Sequence, residues 1–206
     1  MKAEPTRVLL SGGIGSGKTS AGELLTELGA LVIDADRVGH EVLEAEAFAS
    51  VAGRWPQAVR EGAIDRRRLA DVVFAGRGEL AALEELTHPA IRRRIEELVS
   101  RADEPVVVVQ VPILTDLLGE GWIRVVVDAP EEVREARLEG RGMSREDIHR
   151  RMAAQPGRQQ WRAGADYLLD NSGDRDDLRR EIERLWQWLS AKPSQTPGPL
   201  GPAPPR

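Results

Sequence analysis

Residues Gly12-Gly13-Ile14-Gly15-Ser16-Gly17-Lys18-Thr19 form the pattern glycine, four residues, Gly-Lys-Thr. Closely spaced glycines let a backbone wrap against phosphate oxygens with successive N–H groups turned inward. A helix starting at the lysine adds the positive end of its dipole. In that geometry Lys18 reaches the β- and γ-phosphates of a nucleotide and the Thr19 hydroxyl holds Mg²⁺, while Gly13, Ile14, Gly15, Ser16, Gly17 and Ser20 complete the cradle. The chemistry indicated is binding of ATP or a close relative, with transfer of its terminal phosphoryl group.

Two further groups of residues suit such a transfer. Asp34 and Asp36 follow the apolar run Leu31-Val32-Ile33, at the end of a short strand, and alternation would place both on one side. A carboxylate there can orient and deprotonate an acceptor hydroxyl; the alternative reading is a helix N-cap, Asp34 being placed to cap the helix that follows. Arg134, Arg137 and Arg141 stand at i, i+3 and i+7, in an arginine-rich stretch that runs to Arg162 and holds Gly140 and Gly142 as bends. One reading is a mobile lid whose Arg137 and Arg141 screen developing charge. The other is ion pairing with Glu131, Glu132, Glu135 and Glu139.

The elements that must position these groups follow from periodicity. Strands are expected at 8–10, 31–33, 106–111, 124–128 and 167–169, the third a β-branched run buried on both faces. Helices are expected at 18–28 with Gly29 as its cap, at 130–140, 144–154 and 178–189, and through 38–101 with turns near Gly53, Pro56 and Gly76–Gly78. Strands alternating with helices give an α/β fold with a parallel sheet. Residues 193–206 hold six prolines and two glycines and are expected to be a disordered tail.

Composition narrows the class. The chain has 206 residues, 41% of them hydrophobic, enough for one well-packed domain. It lacks cysteine, and it has no run of about 18 apolar residues to span a membrane. The polar start, Met1 to Arg7, does not read as a signal peptide, so the expected location is cytoplasmic. A net charge of −5 argues against a general nucleic-acid binder, and Arg66-Arg67-Arg68 and Arg92-Arg93-Arg94 read as solvated helix faces. The one asparagine, Asn171, precedes Ser172, so the Asn-Lys-x-Asp guanine reader of GTPases is absent. Strand 106–111 ends without the acidic pair of a motor ATPase, and Asp128 is a lone acid before Ala129-Pro130. A small-molecule kinase remains, with a non-catalytic nucleotide-binding module as the rival.

The sequence resembles the dephospho-CoA kinase family over roughly residues 7–190. The carriers are Gly12 to Thr19, Val32-Ile33-Asp34-Ala35-Asp36, His88-Pro89, Val111-Pro112-Ile113-Leu114, the Arg137/Arg141 pair, Gln155, Ala165-Asp166-Tyr167 and Asp170-Asn171-Ser172-Gly173. The resemblance implies a P-loop NTPase fold: a five-stranded parallel sheet flanked by helices, with a helical substrate-binding insertion and a helical lid. The kinase domain would span 1–192, with core segments 6–37, 104–129 and 166–192. The CoA-side insertion would occupy about 38–100 and the lid about 130–165. It implies transfer of the γ-phosphate of ATP to the 3′-hydroxyl of dephospho-CoA with Mg²⁺, Asp36 as general base, and no nucleic-acid or membrane partner. A monomer or weak homo-oligomer is expected. His88 and Pro112 would lie on the acceptor side, although a histidine before proline also reads as a loop or cap residue. Asn171 would fall at the adenine pocket, or serve as an ordinary turn residue. Four departures stand out: Ile113-Leu114-Thr115-Asp116 where the family usually reads Leu-Leu-Phe-Glu, Thr19-Ser20 for Ser-Thr, Pro156-Gly157 after Gln155, and Trp161 near a usual basic residue.

Overall fold

The apolar run Val8-Leu9-Leu10 lies in β1 (Thr6–Ser11), whose last four residues are buried, as a strand covered on both faces requires. The computed structural model describes residues 4–112 and 117–191. From β1 the chain passes through residues 12–17 into α1 (Lys18–Glu27), which buries Ala21, Leu24 and Leu25. Gly29, at φ +97°, ends the helix one residue beyond its C-cap Leu28. Its N–H donates to the Thr26 carbonyl and that of Ala30 to the Leu25 carbonyl, each at 3.0 Å, the pair of bonds that closes a helix with a left-handed glycine. The second strand, β2 (Leu31–Asp34), follows.

Residues 34–101 form a compact unit of their own. It contains α2 (Ala35–Glu44), α3 (Phe48–Arg54), a 3₁₀ turn at Pro56–Ala58, β3 (Val59–Arg60), β4 (Ala63–Ile64), α4 (Arg66–Ala75) and α5 (Glu79–Arg101). Its interior includes Val38, Val42, Val51, Trp55, Leu69, Ile95 and Val99. Three features depart from expectation. First, Asp34 and Asp36 do not alternate along a strand; the alternative reading of Asp34 as an N-cap holds, its carboxylate accepting from the N–H of Asp36 at 2.9 Å and of Arg37 at 3.4 Å. Asp36 therefore lies in the first helical turn. Second, β3 and β4 pair as an antiparallel hairpin inside a stretch expected to be helical. Glu61 and Gly62 make its turn with φ values of +53° and +81°, the combination that suits a tight hairpin. Third, α5 runs straight through His88-Pro89. Proline removes one helical N–H, but burial of Thr87, Ala90, Ile91, Ile95 and Val99 along the same helix holds it together.

After this unit come β5 (Val106–Gln110), β6 (Ile123–Asp128), α6 (Glu131–Glu139), α7 (Arg145–Ala153), α8 (Arg158–Ala163), β7 (Tyr167–Asp170) and α9 (Arg175–Ala191). Among the described residues five strands make one sheet in the order β2-β5-β1-β6-β7. β1 runs parallel to β5 (Val8 opposite Val108) and to β6 (Leu10 opposite Val125), and β6 runs parallel to β7. The chain crosses to one side of β1 first and to the other later, so the loop after β1 leaves the sheet at its topological switch point, where open α/β sheets place ligands. Leu24 and Leu25 of α1 join Leu178, Ile182, Leu185 and Leu189 of α9 in the core over the sheet. Asp166 sets the start of β7: its N–H donates to the Arg124 carbonyl and its carboxylate accepts from the Arg124 N–H, both at 2.8 Å. The helix break expected at Pro156-Gly157 separates α7 from α8. Ile113-Leu114-Thr115-Asp116 and the tail 193–206 lie outside the described residues. No described helix is long and apolar enough to cross a membrane.

The cap on α2 gives a first test. Asp34→Ala removes the acceptor for two N–H groups at the helix start and is expected to cost about 0.5–2 kcal/mol in urea unfolding. An unchanged unfolding midpoint would rule out that role.

Candidate active site

Residues 12–17 turn sharply, with the Ser16 N–H donating to the Gly13 carbonyl at 3.1 Å. Gly17 ends the turn in the left-handed region at φ +99° and opens α1. The glycines are also needed for space. A methyl carbon on Gly17 would lie 2.1 Å from Asn171 Nδ2, one on Gly13 2.4 Å from Arg134 Nη1, and one on Gly12 2.5 Å from the Val127 carbonyl. The loop is thus bare because neighbouring groups occupy the space its side chains would fill. Lys18 Nζ lies 2.5 Å from the Gly12 carbonyl, folded along the loop, and Gln110 at the end of β5 donates to the Lys18 carbonyl at 3.3 Å. Thr19 is exposed on the first turn of α1.

Three side chains from the second half of the chain hold this loop. Asn171 is 4% exposed; its Nδ2 donates to the Ser16 carbonyl at 2.6 Å and its N–H to the Asp128 carbonyl at 2.8 Å. Arg137 in turn donates to the Asn171 carbonyl at 2.9 Å, to Asn171 Oδ1 at 3.3 Å and to the Gly173 carbonyl at 2.9 Å. Gln155, just past α7, accepts the Ile14 N–H on Oε1 at 2.8 Å. The Ile14 side chain packs with Leu138, Met143, Ile148 and Met152 of the α6–α7 segment.

The other arginines of this region divide into two sets. Arg158 grips Asp128 with both ends of its guanidinium, Nε to Oδ1 and Nη2 to Oδ2, each at 2.8 Å; Arg162 adds a bond to Oδ2 at 2.7 Å. The Arg158 hydrogen bonds hold the Asp128 carboxyl below the usual aspartate range, against desolvation that pushes the other way. Arg134, Arg137 and Arg141 make no ion pair with the nearby glutamates among the described residues: Glu139 pairs with Arg145, and Glu135 lies 3.3 Å from His149 Nε2. The salt-bridging reading of the stripe therefore fails. Burial, and then the nearby charge of Arg141, lowers the Arg137 pKa from its ordinary value. Arg141 itself is exposed. Neighbouring guanidiniums without a carboxylate between them suit an anionic ligand.

The family model for dephospho-CoA kinase matches residues 6–177. The chain belongs to that family. Dephospho-CoA kinases from Thermobifida fusca and Frankia casuarinae are 39% and 40% identical over 194 and 193 residues, covering 90% and 89% of this chain and 97% and 83% of theirs. A crystal structure from Thermus thermophilus superposes with a TM-score of 0.80 at 34% identity, over 90% of this chain and 98% of that one. The P-loop NTPase fold and its five-stranded sheet are thereby established.

Within this kinase family member, the structure brings Gly13 to Ser20, Arg137 and Asn171 into one place. Three assignments change there, the first that of Arg137, which was expected to screen developing charge and instead holds the Asn171 and Gly173 carbonyls. The Ile14 amide, expected to face phosphate, is already bonded to Gln155, so Ile14 fastens the loop to the α6–α7 segment. Asn171 is neither a simple turn residue nor a side chain left open to adenine: it struts the loop. Pro112 is exposed just past β5, His88 is half-buried within α5, and Asp36 is exposed in the first turn of α2. Sequence reasoning missed the part played by Gln155 and the Asp128–Arg158–Arg162 cluster. A signal existed for the latter. A lone acid ending a buried strand needs a partner, and Arg158 and Arg162 are spaced four apart on one helix.

Asp128→Asn should therefore loosen α8. It is expected to cost about 1–3 kcal/mol at neutral pH, since hydrogen bonds to charged groups are strong but both arginines are partly solvated. A depressed aspartate pKa contributes stability above the unfolded value near 4 and loses it as pH falls through the lower folded value. Urea unfolding of wild type and variant should therefore converge as pH drops below about 4. A gap that stays constant with pH would exclude the charge effect.

Proposed function

We propose that this chain is an ATP-dependent kinase of the cytoplasm that phosphorylates the 3′-hydroxyl of dephospho-CoA, giving coenzyme A and ADP. The observation that carries the proposal is the family match across residues 6–177, which takes in the phosphate loop, Asp36 and the arginines of α6. The amides of Gly15 and of Gly17 to Ser20 hold the phosphate oxygens, aided by the dipole of α1. Lys18 swings from the Gly12 carbonyl to the β- and γ-phosphates. Arg141 screens charge on the phosphoryl group in transit, and Arg137, through Asn171 and Gly173, keeps the loop after β7 in register with the phosphate loop. Asp36 accepts the proton of the acceptor hydroxyl as the new O–P bond forms. His88 and Pro112 contact the acceptor.

The exposed Thr19 hydroxyl beside the loop fits Mg²⁺, which takes few protein ligands and completes its shell with phosphate oxygens and water. Bound there, the ion would neutralise charge between the β- and γ-phosphates.

The direct test is ADP release measured across acceptors. Dephospho-CoA is expected to stimulate it, and AMP and shikimate to leave it at background; the reverse pattern defeats the proposal. Asp36→Ala is expected to lower turnover at least about 10²-fold, the low end for a general base, with ATP affinity largely unchanged. Near-normal turnover in that variant would remove Asp36 from the mechanism.

A further inference from the structure

Arg134 of α6 has no part in the mechanism just described, yet its setting is unlike that of any other arginine in the region. It is 8% exposed. Its Nε is buried without a hydrogen-bond partner, and no ion pair joins its guanidinium among the described residues. A buried charge is unfavourable unless something pairs with it. The acidic groups around it, Glu131, Asp128 and Glu135, favour its charged form only from a distance, and Arg158 opposes it; desolvation outweighs them and lowers its pKa. Asp128 is in any case gripped by Arg158 and Arg162.

The position of this guanidinium is specific. A methyl carbon on Gly13 would meet Nη1 at 2.4 Å and Cζ at 3.1 Å, and one on Gly15 would meet the Arg134 carbonyl at 2.9 Å and its Cβ at 3.1 Å. Arg134 thus lies along the first half of the phosphate loop, beside Gly13 and Gly15. A planar set of donors fixed there, lacking an acceptor, matches the oxygens of a phosphoryl group. A loop brace would instead end on a carbonyl, as Asn171 and Arg137 do.

We infer that Arg134 is a nucleotide-phosphate ligand: when ATP binds, its guanidinium hydrogen-bonds phosphate oxygens held against the loop beside Gly13 and Gly15, a positive charge additional to that of Lys18. The inference rests on the reading of the loop as an ATP site, and it is independent of which acceptor is phosphorylated.

The test uses R134Q and R134K, with ATP binding by calorimetry, adenosine binding by NMR titration, and thermal unfolding with and without ATP. For R134Q the expected results are an ATP Kd raised about tenfold or more, adenosine affinity within twofold of wild type, and an unliganded Tm equal or higher, because an unpaired buried charge has gone. R134K should recover much of the ATP affinity. The KM for dephospho-CoA should stay within twofold while that for ATP rises. An ATP Kd within twofold of wild type in R134Q overturns the inference. So does a fall in unliganded Tm that R134K fails to restore, or loss of adenosine and ATP binding together, since each marks a packing role. These binding measurements need no acceptor. Loss of ATP binding in R134Q alongside a wild type inert toward dephospho-CoA would therefore defeat the proposed reaction and leave the role of Arg134 standing.

Discussion

The phosphate loop depends on a constraint imposed from outside it: its backbone must stay bare because other groups occupy the space its side chains would fill. The decisive contact is the 2.6 Å hydrogen bond from Asn171 to the Ser16 carbonyl. It joins positions separated by 155 residues and brings Nδ2 so close to Gly17 that no β-carbon fits. Without that bond the Ser16 carbonyl would be free to rotate inward, where it would repel a phosphate. Arg137 then fixes Asn171, so the end of β7, the start of α1 and the middle of α6 are held by one chain of hydrogen bonds. Coupled polar contacts of this sort hold geometry more firmly than their separate strengths suggest.

The arginines between 134 and 162 look alike in sequence and do different things. Arg158 and Arg162 neutralise a buried carboxylate and anchor α8. Arg137 is a strut. Arg141 is exposed, and Arg134 is buried beside the loop. What separates them is depth and the nearest acceptor, neither of which is encoded in residue type. Phosphate sites favour arginine for its fixed fork of donors, and the same fork serves equally well to tie carbonyls together.

Most of the sheet was legible from the chain itself because its strands are short β-branched runs with helical patterns between them, and the phosphate loop was legible because few other structures need glycine at that spacing. Legibility failed where tertiary context outweighed local pattern. The hairpin at 59–64 rests on a Glu-Gly turn too brief to register against its helical surroundings. A histidine before proline also reads as a loop or cap residue, yet buried residues on either side carry α5 past His88-Pro89. Asp36 was expected at the end of the strand and lies in a helix instead, because the cap on Asp34 starts the helix sooner than apolar spacing suggests. At the site, the roles of Gln155 and Asn171 were hidden because each is defined by a backbone atom more than a hundred residues away.

The carboxylate at the end of β6 has a consequence for encounter with substrate. A bare acid near a phosphate site would repel ATP, but Asp128 with its two guanidiniums amounts to a unit of charge +1, two positive against one negative. On a chain whose total is −5, this leaves a local positive surplus, tempered by Glu132 and Asp170, whose charges also act on Arg158. Potentials of this kind raise the rate at which polyanions arrive and fade with ionic strength over a Debye length of about 10 Å in 0.1 M salt. Arg158 and Arg162 thus spare an arriving polyanion the repulsion of a bare carboxylate, on a chain whose net negative charge favours solubility.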